Sequence, residues 1–410
     1  MTNTEQIVVG LEVGTSKTCA VVGEILDADN LQIIGIGQTS SQGVRKGEIV
    51  DMEAASQSIH DAIAEAEDSA SVEIHNVYAS VTGGHIRCFN NRGSVVVGND
   101  EHGITDEEVR NVLLNAKAVN IPHDHVIVHS IRQHFYVDGQ NGITNPVGML
   151  GARLEADVHI IHGIRPRLQN VIRCIKEVPL DLANIAVSSL ASSLAVLTTE
   201  DQNHGALVLD IGGGTTDYIA YTNGTIRHSG VIAVGGDHIT NDIAVGLRLP
   251  LPRAEKLKLE HGAVQWPIDE EIITLKADLG LPDRQVSKEQ LCHIMNLRVE
   301  ETLTLVKKEI EKANLLPYLR AGVFITGGCA RLRGLQPLAE EIFGLPVHLG
   351  HSQTVNGPTS AIESPEYSTA IGLIRFAIGN QRDQHQAPSL GRKISQTFGT
   401  LIKRARALFM

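Results

Sequence analysis

Short apolar runs alternate along the chain with glycine-rich or polar breaks, and the hydrophobic period switches between that of a strand and that of a helix. IVVGLEV (7–13), TCAVVGEI (18–25) and LQIIGIGQTSS (31–41) predict three strands, the first two joined through GTSK (14–17). Residues 52–68 predict a helix, because Ile59 and Ile63 share a face and alanines are frequent. VYASVTG (77–83) reads as a fourth strand. From 84 to 160 the pattern changes. Charged and glycine-rich pieces separate the short strands SVVVG (94–98), HVIVHSI (125–131) and RLEADVHIIHG (153–163). One acidic helix, ITDEEVRNVLLNAKAV (104–119), lies among them, with Thr105 and Glu108 spaced for a capping box. This stretch predicts a small α+β unit inserted into a larger fold.

Residues 165–200 read as helical and then apolar, and ALVLDIG (206–212) as a buried strand. Residues 240–313 read as mostly helical and lead into a long charged segment, 288–315. AGVFITGGCARLRGL (321–335) predicts strand, glycine turn and helix, and EYSTAIGLIRFAIG (366–379) a last core helix. NQRDQHQAPSLG (380–391) is polar and contains proline, so it predicts a linker. In GRKISQTFGTLIKRARALFM (391–410), Ile394, Phe398, Leu401, Ile402, Leu408 and Phe409 fall within an arc of roughly 120° on a helix. Arg392, Lys393, Lys403, Arg404 and Arg406 fall on the other side, and the segment has no acids. That pattern predicts an interfacial helix on an anionic membrane surface. The competing reading is a helix docked on the protein's own body.

Composition narrows the remaining choices. A chain of 410 residues is too long for one ordinary core, so two or more lobes are expected. The net charge of −12 and the scarcity of aromatics (one Trp, six Tyr, seven Phe) argue against a nucleic-acid partner. Five scattered cysteines with no CxxC pair argue against a zinc finger or a disulfide framework. MTNTEQIVVG lacks the basic and apolar regions of a secretory signal, and no run is long enough to span a bilayer.

Three glycine turns follow predicted strands: EVGTSK (12–17), DIGGGTTD (210–217) and TGGCA (326–330). A phosphate needs inward-pointing backbone N–H groups and no Cβ in its way. Glycine permits that approach and neighbouring hydroxyls add donors, which singles out Gly14, Thr15, Ser16 and Lys17 in one turn. Gly212, Gly213, Gly214, Thr215 and Thr216 form the second set, and Gly327 and Gly328 the third. An acid at the strand end, Glu12 or Asp210, can hold Mg²⁺ through water. Any one turn alone could be purely structural. Two acid-x-Gly turns about 200 residues apart predict two similar lobes facing each other across a nucleotide.

The order of these motifs resembles the actin, Hsp70 and sugar-kinase superfamily. GLEVGTSK resembles its first phosphate loop, DIGGGTTD its second and ITGGCARLRGL its adenosine motif. In PRAEKLKLEHG (252–262), Glu255 and Lys258 lie at i, i+3 on a helix opened by Pro252. By resemblance this pair contacts the ribose or base; by itself it would read as a solvated salt bridge.

QGVRKGEIVD (42–51), SVTGGHI (80–86), SSLASSLAVLTTED (188–201), VGGDHITNDIAVGLRLP (234–250) and YSTAIGLIRFA (367–377) narrow the match. They resemble the FtsA family of actin-like bacterial cell-division proteins along nearly the whole chain. The resemblance implies an α/β, actin-like ATPase fold: two lobes around a nucleotide cleft, an inserted α+β subdomain and a C-terminal amphipathic helix. The first lobe would comprise 1–83 and 161–203, interrupted by the insertion at 84–160. The second lobe would comprise 204–237 and 317–364, with a helical subdomain at 238–316. A helix at 365–379 would return to the first lobe, followed by a linker (380–391) and a membrane-binding helix (392–410).

The resemblance further implies that ATP or ADP with Mg²⁺ binds the glycine turns and Gly236. The chain would polymerise and tether FtsZ to the cytoplasmic face of the inner membrane at the division site. Arg298 would pair with acidic groups of the FtsZ C-terminal tail, and the inserted subdomain would contact the next protomer or later division proteins. Hydrolysis would be slow. Glu12 stands where the hydrolases of the superfamily carry Asp, and Ser188 where the Hsp70 relatives carry a Glu. A sugar-type kinase and an actin-like pilus-assembly protein remain as alternatives. The kinase lacks a reason for the basic tail, and the pilus proteins are usually shorter.

Overall fold

The computed structural model describes residues 7–26, 30–98, 103–265, 271–276, 283–353, 355–358 and 362–386. The predicted membrane-binding helix, with all its named residues from Ile394 to Phe409, lies outside these.

One strand plan is used twice. In the first lobe, β1 (Ile7–Val13), β2 (Lys17–Ile25) and β3 (Leu31–Ser40) form an antiparallel meander. β6 (Asn76–Val81) lies parallel beside β1, and β11 (Asp181–Val187) parallel beside β6. In the second lobe, β12 (Ala206–Ile211), β13 (Thr216–Thr222) and β14 (Thr225–Ile232) repeat the meander. β17 (Gly322–Thr326) lies parallel to β12, and β18 (Val347–Leu349) parallel to β17. Among the described residues only β19 (Val355–Asn356), parallel to β3, is extra to the first sheet. β12 is buried along its whole length, as its unbroken apolar run requires. β3 alternates buried and exposed positions because one face is covered by α1 (Met52–Ala70). Asp51 caps that helix by accepting from the Ala54 amide at 3.1 Å. Between β3 and α1, β4 (Val44–Arg45) and β5 (Glu48–Ile49) form a tight hairpin.

The inserted unit is a four-stranded antiparallel sheet in the order β7 (Arg87–Val96), β10 (Arg153–Ile164), β8 (His125–Val137), β9 (Gln140–Ile143). α2 (Asp106–Lys117) packs across it, burying its Val112 with Phe135, Leu154 and Ala156 of the sheet. The Glu108 carboxylate accepts from the Thr105 amide at 2.7 Å, as the capping-box spacing predicts. Polar side chains stitch this unit to the second lobe. Asn90 donates to the Arg227 carbonyl at 2.9 Å, and His159 meets Ser229 at 2.9 Å. These contacts cover the edge strand β14.

Two expectations need correction, and the mostly helical reading of 240–313 gains a hairpin. Residues 165–200 contain α3 (Arg165–Glu177), then β11, then α4 (Ser188–Val196). DLANIAV runs straight into VSSLASSL, so the strand's apolar run merges with that of the small-residue helix. The stretch from 240 to 313 holds α6 (Gly236–Gly246), α7 (Leu251–His261) and α8 (Lys288–Lys312), but also a hairpin of β15 (Ile272–Leu275) and β16 (Arg284–Ser287). The last helix, α10 (Ser368–Gln386), runs past residue 379 into the expected linker. Asn, Gln, Arg and Asp are polar without being helix breakers, and the first breaker is Pro388. The remaining α-helices among the described residues are α5 (Thr199–His204) and α9 (Leu335–Phe343). No helix among the described residues is long and apolar enough to cross a membrane.

Candidate functional site

The strand plan places two equivalent turns at equivalent strand ends. Gly14 donates its amide to the Lys17 carbonyl at 3.0 Å, and Gly212 to the Thr215 carbonyl at 2.9 Å. Each bond closes a four-residue turn. Among the described residues the amides of Thr15, Ser16, Gly213 and Gly214 carry no partner. The two turns meet tip to tip. A Cβ on Gly213 would lie 2.4 Å from Ser16 Oγ, and one on Gly214 would lie 2.3 Å from Thr15 Oγ1. The glycines thus make room for the opposite lobe as well as for a phosphate, a requirement that the sequence alone does not reveal. α6 braces the second turn, since the amides of Gly236 and Asp237 donate to the carbonyls of Gly212 and Gly213 at 2.9 and 2.8 Å.

The acids sit in register. Glu12 pairs across its strands with Cys19, and Asp210 with Asp217. Glu12 is tied to Lys17 at 2.8 Å. Burial works against the Lys17 charge, and the Glu12 carboxylate outweighs it, so the ammonium is held above its usual range. Asp210 accepts from Thr369 of α10 at 2.7 Å and from Ser192 of α4. Burial first, and the Glu12 charge second, push its carboxyl up to about 6. Asp217 accepts from Thr82, at the end of β6, at 2.6 Å, which joins the two lobes. Its carboxyl is pushed up to about 8 by burial and then by Asp210.

The third motif closes on the same place. A Cβ on Gly327 would lie 2.5 Å from Asp210 Oδ1, whereas Gly328 faces open space. The Glu255–Lys258 pair is no solvated surface bridge. Lys258 is buried, 2.7 Å from Glu255, and donates to Thr240 Oγ1 at 2.8 Å and to the Gly236 carbonyl at 3.2 Å. Cys329 packs against Gly236 beside it.

Not every expected residue faces the cleft. Thr216 is fully buried and its hydroxyl donates to the Val234 carbonyl at 2.8 Å, so it holds β13 in place rather than presenting a phosphate donor. Thr18, its equivalent on β2, is likewise buried and bonded to Ser41. Thr215 shares its side chain with Asp217. Arg298 lies on the helical subdomain, apart from these turns. It grips Asp242 of α6 with two nitrogens, Nη2 at 3.1 Å, and also reaches Glu301. Sequence reasoning missed Asp217, Ser192, Thr240 and Thr369. Only Asp217 carried a signal, as the second acid of DIGGGTTD.

Comparison with known proteins agrees with this architecture. A family described as "Cell division protein FtsA" matches residues 207–372, and "SHS2 domain inserted in FTSA" matches 83–162. The chain is 37% identical to Cell division protein FtsA of Pseudomonas aeruginosa, over 92% of this chain and 91% of that one. It is 38% identical to Cell division protein FtsA of Neisseria meningitidis serogroup B, over 90% and 89%. Among solved structures, the fold resembles a PilM–PilN type IV pilus biogenesis complex (TM-score 0.66, 16% identity, 90% of this chain and 98% of that one). It also resembles MreB5 of Spiroplasma citri bound to ADP (TM-score 0.56, 16% identity, 94% and 100%). With an actin-like fold, the inserted domain and 37% and 38% identity to the two Cell division protein FtsA relatives, the chain belongs to the FtsA family of cell-division proteins.

Proposed function

We propose that the protein is an ATP-binding, polymerising membrane tether of the division ring, which anchors FtsZ to the cytoplasmic face of the inner membrane and recruits later division proteins. The observation that carries the nucleotide part is the tip-to-tip meeting of two equivalent glycine turns whose central amides have no partner among the described residues. ATP or ADP would lie along these amides, with Glu255 and Lys258 on the ribose or base side. The MreB5 relative bound to ADP supports this reading.

The donor set suits a hard cation. Asp210 and Glu12 offer carboxylate oxygens, and no group of three His, Cys, Asp or Glu among the described residues could hold a metal ion. Mg²⁺ would therefore rest chiefly on phosphate oxygens, with Asp210 and Glu12 acting through water. It would supply charge neutralisation. Slow turnover follows from the residues present. Burial and the neighbouring Asp210 push the Asp217 carboxyl up to about 8, Glu12 is engaged by Lys17, and Ser188 is a buried hydroxyl near the Val81 carbonyl.

The helical subdomain would receive the FtsZ tail. Val245 and Leu297 are exposed there, next to the Arg298–Asp242 pair. An acidic tail would have to compete with Asp242 for that guanidinium. The basic segment 392–410 would bind anionic lipid, and self-assembly would multiply that weak contact.

Sedimentation with anionic vesicles tests the tether. The full chain with ATP should carry FtsZ into the pellet, and a chain ending at residue 390 should carry none. Equal pelleting of both would refute the membrane role. Sustained phosphate release on vesicles on the order of 1 s⁻¹ or faster would refute the holding role of the nucleotide.

A further inference from the structure

The β4–β5 hairpin stands against both glycine turns, and nothing assigned so far uses it. Its two-residue loop, Lys46–Gly47, has φ of +51° and +75°, as a type I′ turn requires. Gly47 is the residue type such a turn prefers. Lys46 is not, since asparagine, aspartate or glycine relieves the left-handed strain that a lysine must bear. An outlier held in place by its surroundings asks for a function.

Those surroundings are the phosphate turns. Gly47 donates its amide to Thr15 Oγ1 at 2.9 Å. The Lys46 Cα lies 2.9 Å from where a Gly214 Cβ would stand, and Gly47 lies against Thr82 and Thr215. The hairpin tip therefore touches the first turn, the second turn and the cross-lobe contact at once. Lys46 is exposed and makes no hydrogen bond or ion pair among the described residues. Its charge reaches His238 at the start of α6, which burial first and Lys46 second hold below the usual histidine range. The Lys46 backbone thus stands beside amides suited to a polyphosphate, and its ammonium has no partner among the described residues.

We infer that Lys46 reads the terminal phosphate, so that the hairpin tip distinguishes a nucleoside triphosphate from a diphosphate. This rests on the nucleotide reading above. The twin turns would hold the phosphates common to both nucleotides, and Lys46 would add its charge where only the triphosphate has one. Glu48, on the same hairpin, is paired with Arg167 of α3 beside the inserted unit. A tip drawn toward a terminal phosphate would pull on that contact.

The test is calorimetric titration of the full chain with Mg-ATP and with Mg-ADP. The variants are Lys46→Asn, which suits the left-handed turn, and Lys46→Arg, which keeps the charge. Lys46→Asn should weaken ATP binding by about tenfold, the usual loss for one charged hydrogen bond. ADP binding should change by about twofold or less. Lys46→Arg should retain most of the preference for ATP. Equal losses for the two nucleotides, or an unchanged preference in Lys46→Asn, would overturn the inference and leave the nucleotide reading standing. A parent chain that binds neither nucleotide would overturn both.

Discussion

Replacing Asp217 with asparagine isolates the cross-lobe contact. Asp217 is 3% exposed, faces Asp210 across the strand pair and accepts from Thr82 of the first lobe at 2.6 Å. Its carboxyl stands near 8 in the folded protein against an ordinary 3.8. The folded state thus keeps a proton that the unfolded chain releases. This contribution to stability is complete below about pH 4 and is lost as the pH rises toward 8, at up to about 1.4 kcal/mol per pH unit. Asparagine still offers Thr82 an acceptor and cannot ionise. The variant's advantage over the parent should therefore grow by about 2–3 kcal/mol between pH 5 and pH 7, then level off above pH 8. Urea unfolding of both proteins without nucleotide, across that range, measures it. A gap that stays constant or narrows with pH would refute the argument that burial keeps Asp217 protonated.

Further substitutions probe the other contacts. Gly214→Ala places a Cβ 2.3 Å from Thr15 Oγ1 and 2.9 Å from the Lys46 backbone. It should cost about 1–3 kcal/mol in unfolding experiments and abolish measurable ATP binding. Gly328→Ala, which meets nothing within 4 Å, should leave stability nearly unchanged. Lys258→Met removes the buried ammonium that bonds Glu255, Thr240 and the Gly236 carbonyl, so titration should show ATP and ADP weakened alike, by about tenfold. Arg298→Ala breaks a partly exposed pair and should shift unfolding by about 1 kcal/mol or less, while lowering affinity for an FtsZ tail peptide in a fluorescence titration.

The twin turns were legible because their chemistry restricts residue choice: acid, glycine and hydroxyl recur at fixed spacing after an apolar run. The duplicated strand plan followed from them. Contacts between distant segments were not legible. Lys258 reads as a surface lysine on its helix, and only folding buries it against Thr240 and Gly236. Arg298 reads as a free cation, yet Asp242, 56 residues away, already holds it. Thr216 looks like a phosphate donor until Val234 is seen to take its hydroxyl. The β4–β5 hairpin escaped notice because its strands are two residues each and Lys-Gly is a weak turn signal.

On the proposed reading, nucleotide clamped between the two turns would set the shape of a membrane-bound polymer. Electron microscopy of the full chain on an anionic lipid monolayer tests this most directly. With Mg-ATP, filaments should form on the lipid, and they should be absent without nucleotide and absent for Gly214→Ala. Filaments of the same form with and without ATP, or none under either condition, would contradict it.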